Sequence, residues 1–364
     1  MNVYLDNAAT TPLDPEVFEK MLPYLTGEFG NPDSLHAYGR SAAYAVGEAR
    51  DRIAQTLGVK PSEVYFTSGG TEADNWAVRM MGEGGACVSE IEHSAVLSAA
   101  SMRCGTVYAK ANRSGTVTVE SIERTLNEDT GLVAVMAVNN ETGCIQPVEQ
   151  ISSLCKRRGI LLFSDCVQAA VSQDLKRICS FTDAISLSGH KIYGPKGTGV
   201  LVVKKGVKLS ALIAGGEQER GLRGGTLNVA GAVGFSYALE KVQRERAAFC
   251  EKTNALRELF EGELKGALGH GIVVDGERRA PNVSHITYER GGSAFLNLLD
   301  LHGIACSGGA ACSAHSALPS HVMLAMGRSE TEAKSGVRFS FGKQTTEEEV
   351  RFAVKTVIEC VEKI

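Results

Sequence analysis

Short apolar runs alternate with amphipathic stretches through the first two thirds of the chain. The runs are rich in β-branched residues and predict strands, whereas the stretches 71–82 and 147–159 have the apolar spacing of helices. The predicted strands are EVYFTSG (63–69), LVAVMAVNN (132–140), ILLFSD (160–165), DAISLSG (183–189) and GVLVVK (199–204). Because runs such as LVAVMAV would be apolar on both faces, the pattern indicates an α/β fold with a mostly parallel sheet covered by helices on both sides.

The pattern changes near residue 226. A charged helical stretch from there to about residue 268 predicts a long helix or a helix pair, and we expect a second domain to begin within it. Beyond this stretch the sequence predicts a small α+β domain, with strands at 272–275, 283–288 and 337–341 and helices near 294–302 and 346–362.

Composition narrows the classes of function. Of the 364 residues, 43% are hydrophobic and 22% are charged, which is typical of a globular protein with a sizeable core. The 38 basic residues are outnumbered by 42 acidic ones and form only short clusters, which disfavours nucleic-acid binding. The N-terminus lacks a basic region followed by an apolar stretch, and the aliphatic runs are too short to span a bilayer, so we expect a cytoplasmic protein without a membrane partner.

The ten cysteines form no CxxC pair. In a chain without an export signal they should be free thiols, and a structural zinc site is not expected. Apart from Cys312, which lies in a segment of small residues, we expect them to be small buried apolar residues.

One lysine follows a predicted strand in a tight loop. The segment SGHK (188–191) places Lys191 where open α/β sheets bind ligands, and a lysine amine can form a Schiff base with an aldehyde cofactor such as pyridoxal phosphate. A solvated loop lysine is the plainer alternative.

Asp165 ends another predicted strand, and Gln168 lies three residues beyond it. A pyridoxal ring needs an anion against its pyridinium nitrogen, and this aspartate could supply it. The alternative role for this aspartate is a helix N-cap.

A glycine turn at 67–72 joins another strand to a helix. Backbone amides around Gly70, the Thr71 hydroxyl and the helix N-terminus suit an anion such as a cofactor phosphate, although a tight turn with a good cap has the same sequence. Two further strands are followed by polar residues, which include Asn140 and His93. Four such strand ends would open toward one edge of the sheet, and they therefore predict one shared site.

A loop of small residues, GGAACS (308–313), surrounds the thiol of Cys312. Small residues favour a mobile loop, and mobility would let a nucleophile travel between sites. A buried structural cysteine is the alternative interpretation.

These segments resemble the cysteine desulfurases of the NifS/IscS type, within the fold-type-I pyridoxal-phosphate enzymes and the class V aminotransferase family. The resemblance covers nearly the whole chain, and its motifs include YLDNAATTP from Tyr4, FTSGGTEADN from Phe66, EHSAVL from Glu92, NNETG from Asn139, SGHKIYGPKG from Ser188, GGAACS from Gly308 and RFSFG from Arg338. The sequence departs from the family pattern at Asp74, where asparagine is usual.

The resemblance implies a large pyridoxal-phosphate-binding domain over 13–245, with a mainly parallel seven-stranded sheet between helices. Residues 1–12 and 246–364 would form a small α+β domain carrying the cysteine loop. The cofactor roles that it implies are Lys191 for the aldehyde, Asp165 for the ring nitrogen, Gln168 for the ring hydroxyl, His93 for stacking and proton movement, and Gly70, Thr71, Ser188 and His190 for the phosphate end. Thr226 would reach the phosphate of a partner subunit, which implies a homodimer.

The resemblance also implies the reaction. Asn140 and Arg338 would position the carboxylate of L-cysteine, and the Cys312 thiolate would attack the substrate sulfur, leaving L-alanine and a persulfide. A sulfur-acceptor protein, either an iron–sulfur scaffold or a thiolation protein, would then receive the sulfur. A selenocysteine lyase, another pyridoxal-dependent enzyme of this family such as an aminotransferase, and a non-catalytic cofactor-binding protein remain alternatives.

Overall fold

A seven-stranded sheet forms the centre of the fold. A computed structural model describes residues 1–289, 291–309 and 318–363. Across the sheet the strands follow the order β2 (Val64–Thr67), β8 (Gly199–Val203), β7 (Ala184–Ser188), β6 (Leu161–Asp165), β5 (Thr130–Ala134), β3 (Gly85–Ser89) and β4 (Val107–Ala109). Strand β8 runs antiparallel to both of its neighbours, and the other pairs are parallel. The predicted α/β fold with a mainly parallel sheet is therefore confirmed.

Helices cover both faces of this sheet. Along β8, Val200 and Val202 belong to one hydrophobic cluster and Leu201 and Val203 to another, as the alternation of side chains along a strand requires. The first cluster includes residues of α1 (Pro15–Thr26), α2 (Ala37–Leu57), α5 (Val119–Thr125), α6 (Val148–Arg158) and α7 (Leu175–Phe181). The second includes residues of α3 (Gly70–Met80) and α4 (Ser94–Ser101).

The second part of the chain begins with a single helix, α8 (Val229–Leu268), so the alternative of a helix pair is wrong. The elements around it are the parallel pair β1 (Val3–Tyr4) and β11 (Ile304–Ala305), the antiparallel strands β9 (Ile272–Val274), β10 (Val283–Tyr288) and β12 (Gly336–Ser340), and the helices α9 (Ser293–Leu301), α10 (His321–Ala325), α11 (Glu330–Lys334) and α12 (Glu347–Val361). Short 3-10 helices lie at Pro61–Glu63, Gly189–Lys191, Gln218–Gly221 and Gly269–Gly271.

The N-terminal strand packs with the C-terminal elements. Val3 and Leu5 share a hydrophobic cluster with Phe260 of α8 and Phe339 of β12. This contact agrees with a small domain that includes the first residues of the chain. Helix α8 continues through residue 245 without a break, and the domain bounds at residues 12 and 245 stay a prediction.

One predicted strand is too long. The run 132–140 was expected to be extended throughout, but β5 ends at Ala134. Beyond it, Val135 and Ala137 still donate backbone hydrogen bonds to the β6 segment, and Val138 then pairs with Ile145 in a separate bridge. The run stays apolar because it is buried, and burial alone does not extend a strand.

The prediction of uniformly buried thiols is also wrong in part. Of the described cysteines, Cys104 is exposed and Cys250 and Cys306 are half-buried, while the other six are buried; all nine are free. Within the described ranges, no helix has the length and apolar character needed to cross a membrane.

Candidate active site

The predicted strand ends meet around one cavity at a single edge of the sheet. Its empty space, counted together with the solvent at its open side, is about 740 Å³. Its lining contains all the predicted site residues except Thr226 and Cys312, namely Gly70, Thr71, His93, Asn140, Asp165, Gln168, Ser188, His190, Lys191 and Arg338. Because β2, β3, β5, β6 and β7 are parallel to one another, their carboxyl ends meet at this edge.

The lysine lies in the 3-10 helix that follows β7. Lys191 Nζ donates to the backbone carbonyls of Ala8 and Ala9, at 2.6 and 2.7 Å. Position 189, two residues before the lysine, has room only for glycine, because an added Cβ would lie 2.6 Å from the carbonyl oxygen of Pro195. The lysine amine is thus anchored at the cavity wall rather than solvated, which removes the plainer sequence interpretation.

Asp165 is the last residue of β6 and is 5% exposed. Its Oδ1 accepts the backbone N–H of Val167 at 2.8 Å. Burial raises the pKa of Asp165, while nearby His93, the Val167 N–H and Lys191 act in the opposite direction. A cationic group in the cavity would therefore find a buried carboxyl that ionises against it.

His93 caps the helix that follows β3. Its Nδ1 accepts the backbone N–H of Ala95 at 3.2 Å, which places the proton of the neutral ring on Nε2. This cap fixes the imidazole at the cavity edge, where it lines the same wall as Asp165.

The anion end of the site combines hydroxyls with a helix N-terminus. Thr71, in the first turn of α3, lines a second, adjoining cavity together with Ser188 and His190. His190 Nδ1 lies 3.2 Å from the Thr10 hydroxyl, and burial, with Lys191 and Lys196, lowers the pKa of His190 to about 4. A neutral histidine, two hydroxyls and α3 amides form a donor set suited to phosphate.

The opposite side of the cavity presents an arginine and an asparagine. Arg338 of β12 is 2% exposed, and its Nη1 donates to the Asn140 carbonyl at 2.6 Å. Its Nη2 forms an ion pair with Asp6 Oδ1 at 3.0 Å.

The turn that contains Asn140 is fixed by Asn139, whose Oδ1 accepts the backbone N–H groups of Glu141 and Thr142. Two buried polar atoms, Asn140 Oδ1 and Arg338 Nε, have no hydrogen-bond partner in the described part of the chain.

The predicted roles of Gln168, Thr226 and Cys312 stay predictions. Gln168 donates to the Ala8 carbonyl at 2.9 Å, and its contact with a ring hydroxyl stays a prediction. Thr226 is exposed and lines neither cavity of its own chain. Cys312 lies outside the described residues.

The sequence did not reveal several contributors to the cavity. Ala8 and Ala9 act through backbone carbonyls, which carry no side-chain signal, although they lie within the motif YLDNAATTP. Asp74, noted only as a departure from the family pattern, also lines the cavity, as does Val167. Asp6 lies in the same N-terminal motif, and no sequence signal linked it to its partner Arg338.

Comparisons with known proteins agree with the fold. The chain matches the family described as Aminotransferase class-V over residues 3–352. A protein of Methanosarcina thermophila named Cysteine desulfurase IscS is 39% identical over 376 residues, with 100% of this chain and 92% of that protein covered.

Two solved structures are similar throughout. One titled NifS-like protein is 35% identical with a TM-score of 0.92, and both chains are fully covered. Another, titled SspA in complex with cysteine, is 31% identical with a TM-score of 0.80, covering 94% of this chain and 99% of that one. With a family match over nearly its full length and relatives aligned from end to end, this chain belongs to the class-V aminotransferase family.

Proposed function

We propose that this protein is a pyridoxal-phosphate-dependent cysteine desulfurase that converts L-cysteine to L-alanine and passes the sulfur through Cys312. The observation that carries the proposal is the placement of Lys191, Asp165 and Arg338 on one cavity. It combines a half-buried amine, a buried acid and a buried guanidinium. The M. thermophila relative carries the name of this activity, and a related structure is titled as a complex with cysteine.

The residues present fit pyridoxal phosphate. Lys191 would hold the aldehyde, Asp165 would face the ring nitrogen, and the Thr71, Ser188 and His190 donors would hold the phosphate. When bound, the cofactor supplies an electron-accepting ring that stabilises negative charge on the substrate α-carbon. The His93 ring, fixed by its cap, would lie against the cofactor ring.

Arg338 and Asn140 would bind the substrate carboxylate. The guanidinium presents a planar fork of donors, which matches a planar carboxylate, and its unpartnered Nε is one donor available to a ligand. The Asp6 ion pair and the Asn140 carbonyl hold this fork in place from other directions. Substrate orientation therefore depends on the pairing between β12 and the N-terminal segment.

Lys191 would also move a proton. Its Nζ donates to the backbone carbonyls of Ala8 and Ala9, which would hold it beside the cofactor aldehyde and within reach of a bound substrate. The free amine would then remove the proton from the substrate α-carbon and return a proton during formation of alanine. His93 Nε2 would shuttle protons at the same edge.

Cys312 would receive the sulfur. Its thiolate attacks the substrate sulfur, an S–S bond forms, and the C–S bond breaks with its electron pair left on carbon, which takes up a proton to give alanine. The described ends of its segment support this assignment, because Ser320 donates to Glu141 Oε2, and an added Cβ at Gly309 would lie 2.9 Å from the same oxygen. Glu141 directly follows Asn140, so both ends lie beside the proposed carboxylate site.

We further propose a homodimer in which Thr226 reaches the phosphate end of the partner's site. Thr226 is exposed, and the large domain exposes apolar side chains on α1 and after it, including Phe18, Leu22, Leu25 and Phe29. Such a surface is typical of a subunit interface.

The free thiols of the described cysteines favour a location in the cytoplasm. There a sulfur-acceptor protein of iron–sulfur assembly or thiolation would take the sulfur from the persulfide.

The proposal is tested by turnover of purified, cofactor-loaded protein on L-cysteine in the presence of a reducing thiol. Alanine and sulfide should form in equal amounts, and Lys191→Ala should form neither. Keto-acid-dependent loss of the amino group without sulfide would assign an aminotransferase instead, and a strong preference for selenocysteine over cysteine would assign a selenocysteine lyase.

A further inference from the structure

A second carboxyl group lies beside Asp165. Asp74 of α3 is 2% exposed and lines the same cavity. The Ser186 hydroxyl donates to Asp74 Oδ1 at 2.5 Å. Ser186 and Asp165 are paired in register on β7 and β6, so their side chains point to the same face, toward α3. The two buried carboxyl groups therefore lie close together.

The contacts of the two carboxyls differ. Asp165 accepts a backbone N–H from Val167 and lies near Lys191 and His93, all of which stabilise an anion. Asp74 accepts from a serine hydroxyl, which can also accept a hydrogen bond from a protonated acid. The surroundings thus favour the negative charge on Asp165 and a proton on Asp74.

Two negative charges on neighbouring buried carboxyls are unfavourable, so one carboxyl of such a pair stays protonated. Burial, followed by the negative charge of Asp165, raises the pKa of Asp74 well above its usual range. Glu92 is a third buried acid. Burial raises its pKa to about 8, although the hydrogen bonds from the Met136 N–H and the Ser89 hydroxyl act to lower it.

We propose that Asp74 keeps its proton at neutral pH and leaves Asp165 as the single anion of the pair, which makes Asp74 a positioning residue for the cofactor ring. A neutral Asp74 has the shape and hydrogen-bonding capacity of asparagine. The identity of the ring rests on the proposed function, whereas the protonation of Asp74 does not.

The groups around the pair agree with this assignment. Asp165 and Cys166 come from the end of β6, Glu92 and His93 follow β3, and Lys191 follows β7. Burial raises the pKa of the Cys166 thiol, so it is neutral, and Glu92 is largely protonated at neutral pH. The Asp165 carboxylate and the Lys191 ammonium then remain as an opposite pair at the cavity.

The direct test is the infrared spectrum of the full-length protein at neutral pH, in the region of the carbonyl stretch of protonated carboxylic acids. Asp74→Asn should remove one carboxylic-acid band. The matched variant Asp165→Asn should remove a carboxylate band and leave the acid band in place, because burial is the larger cause of the raised pKa of Asp74. Loss of a carboxylate band in Asp74→Asn would overturn the proposal.

Ser186→Ala gives a second readout if Asp74→Asn fails to fold. Without the hydroxyl, the acid band should remain and move to higher frequency, because a hydrogen bond to the Asp74 carbonyl is lost. An unchanged acid region in this variant would overturn the proposal.

Binding supplies a third readout. Pyridoxine phosphate, an alcohol that cannot react with Lys191, should bind Asp74→Asn within about twofold of the wild type, since one neutral group replaces another. A loss of about tenfold or more would mean that Asp74 is an anion facing the ring and would contradict the proposal. If Asp74→Asn removes an acid band but the wild type does not bind pyridoxine phosphate, the proposed function fails and the protonation of Asp74 stands.

Discussion

The Asp6 carboxylate is ion-paired with the Arg338 guanidinium, at 3.0 Å from Oδ1 to Nη2. Its other oxygen accepts the Ser307 hydroxyl at 2.8 Å, and Ser307 is in turn paired with Arg338 through two backbone hydrogen bonds. The first residues of the chain therefore fix the arginine that we assign to the substrate carboxylate.

Asp6→Asn should raise the KM for cysteine more than it lowers kcat, because the arginine keeps its charge but loses the anion that orients it. A hydrogen bond to a charged group is worth about 1.5–3 kcal/mol, so we expect a rise in KM of about tenfold or more. Asp14→Asn is the control, since Asp14 pairs with Lys241 at the start of α1 and lines neither cavity. An unchanged KM in Asp6→Asn would contradict the role of Asp6 in orienting Arg338.

Ser320→Ala should slow sulfur transfer to Cys312 and leave cysteine binding largely intact, because it releases the described end of the cysteine segment from Glu141. Rapid quenching and mass measurement of the persulfide would give the rate. Ser329→Ala is closely matched, because both serines cap five-residue helices but Ser329 bonds Glu332 rather than Glu141. Equal rates in the two variants would contradict the assigned role of this contact.

Gly189→Ala should displace the lysine loop. The added Cβ would meet the Pro195 carbonyl at 2.6 Å and the Thr198 carbonyl at 3.1 Å, and backbone atoms cannot move aside as a flexible side chain can. We expect a loss of stability of about 1–3 kcal/mol and weaker cofactor binding. Gly47→Ala, on α2 with open space around it, should cost nothing. Urea denaturation and cofactor titration of both variants decide the point.

His190 should make the protein less stable as pH falls. Its pKa is about 4 in the folded chain and about 6.5 in an unfolded one, so between these values the unfolded chain binds more protons. Stability is therefore lost as pH is lowered through this window, and His190→Asn should lose less of it. Urea midpoints at about pH 7 and pH 4.5 test this. Exposed His270 provides the control variant, and a stability difference independent of pH would contradict the prediction.

The strand ends could be predicted because their signal is local. An apolar run followed by Asp165, Lys191 or His93 is visible in the sequence, and a parallel sheet brings such ends to one edge without further information. The helix predicted near 346–362 is α12, and Thr346 and Glu349 form a capping box at its N-terminus. The strand predicted at 132–140 was too long, because a buried run is apolar whether or not it is paired.

The remaining contacts join distant parts of the chain. Lys191 is hydrogen-bonded to Ala8 and Ala9 across half of the sequence, and Arg338 to Asp6 across nearly all of it. A contact made by a backbone carbonyl does not depend on the residue type, so the sequence does not reveal it. An aspartate in the sequence does not indicate which distant residue it pairs with. Asp74 was visible only as a departure from a family pattern, and its effect depends on the buried position beside Asp165.

The most direct test of the account is the mass of the proteolytic peptide that contains Cys312 after the cofactor-loaded protein has reacted with L-cysteine. We predict one additional sulfur atom on Cys312, removable by a reducing thiol, together with one equivalent of alanine. Alanine formation with an unmodified Cys312, or with the sulfur on one of the other nine cysteines, would contradict it.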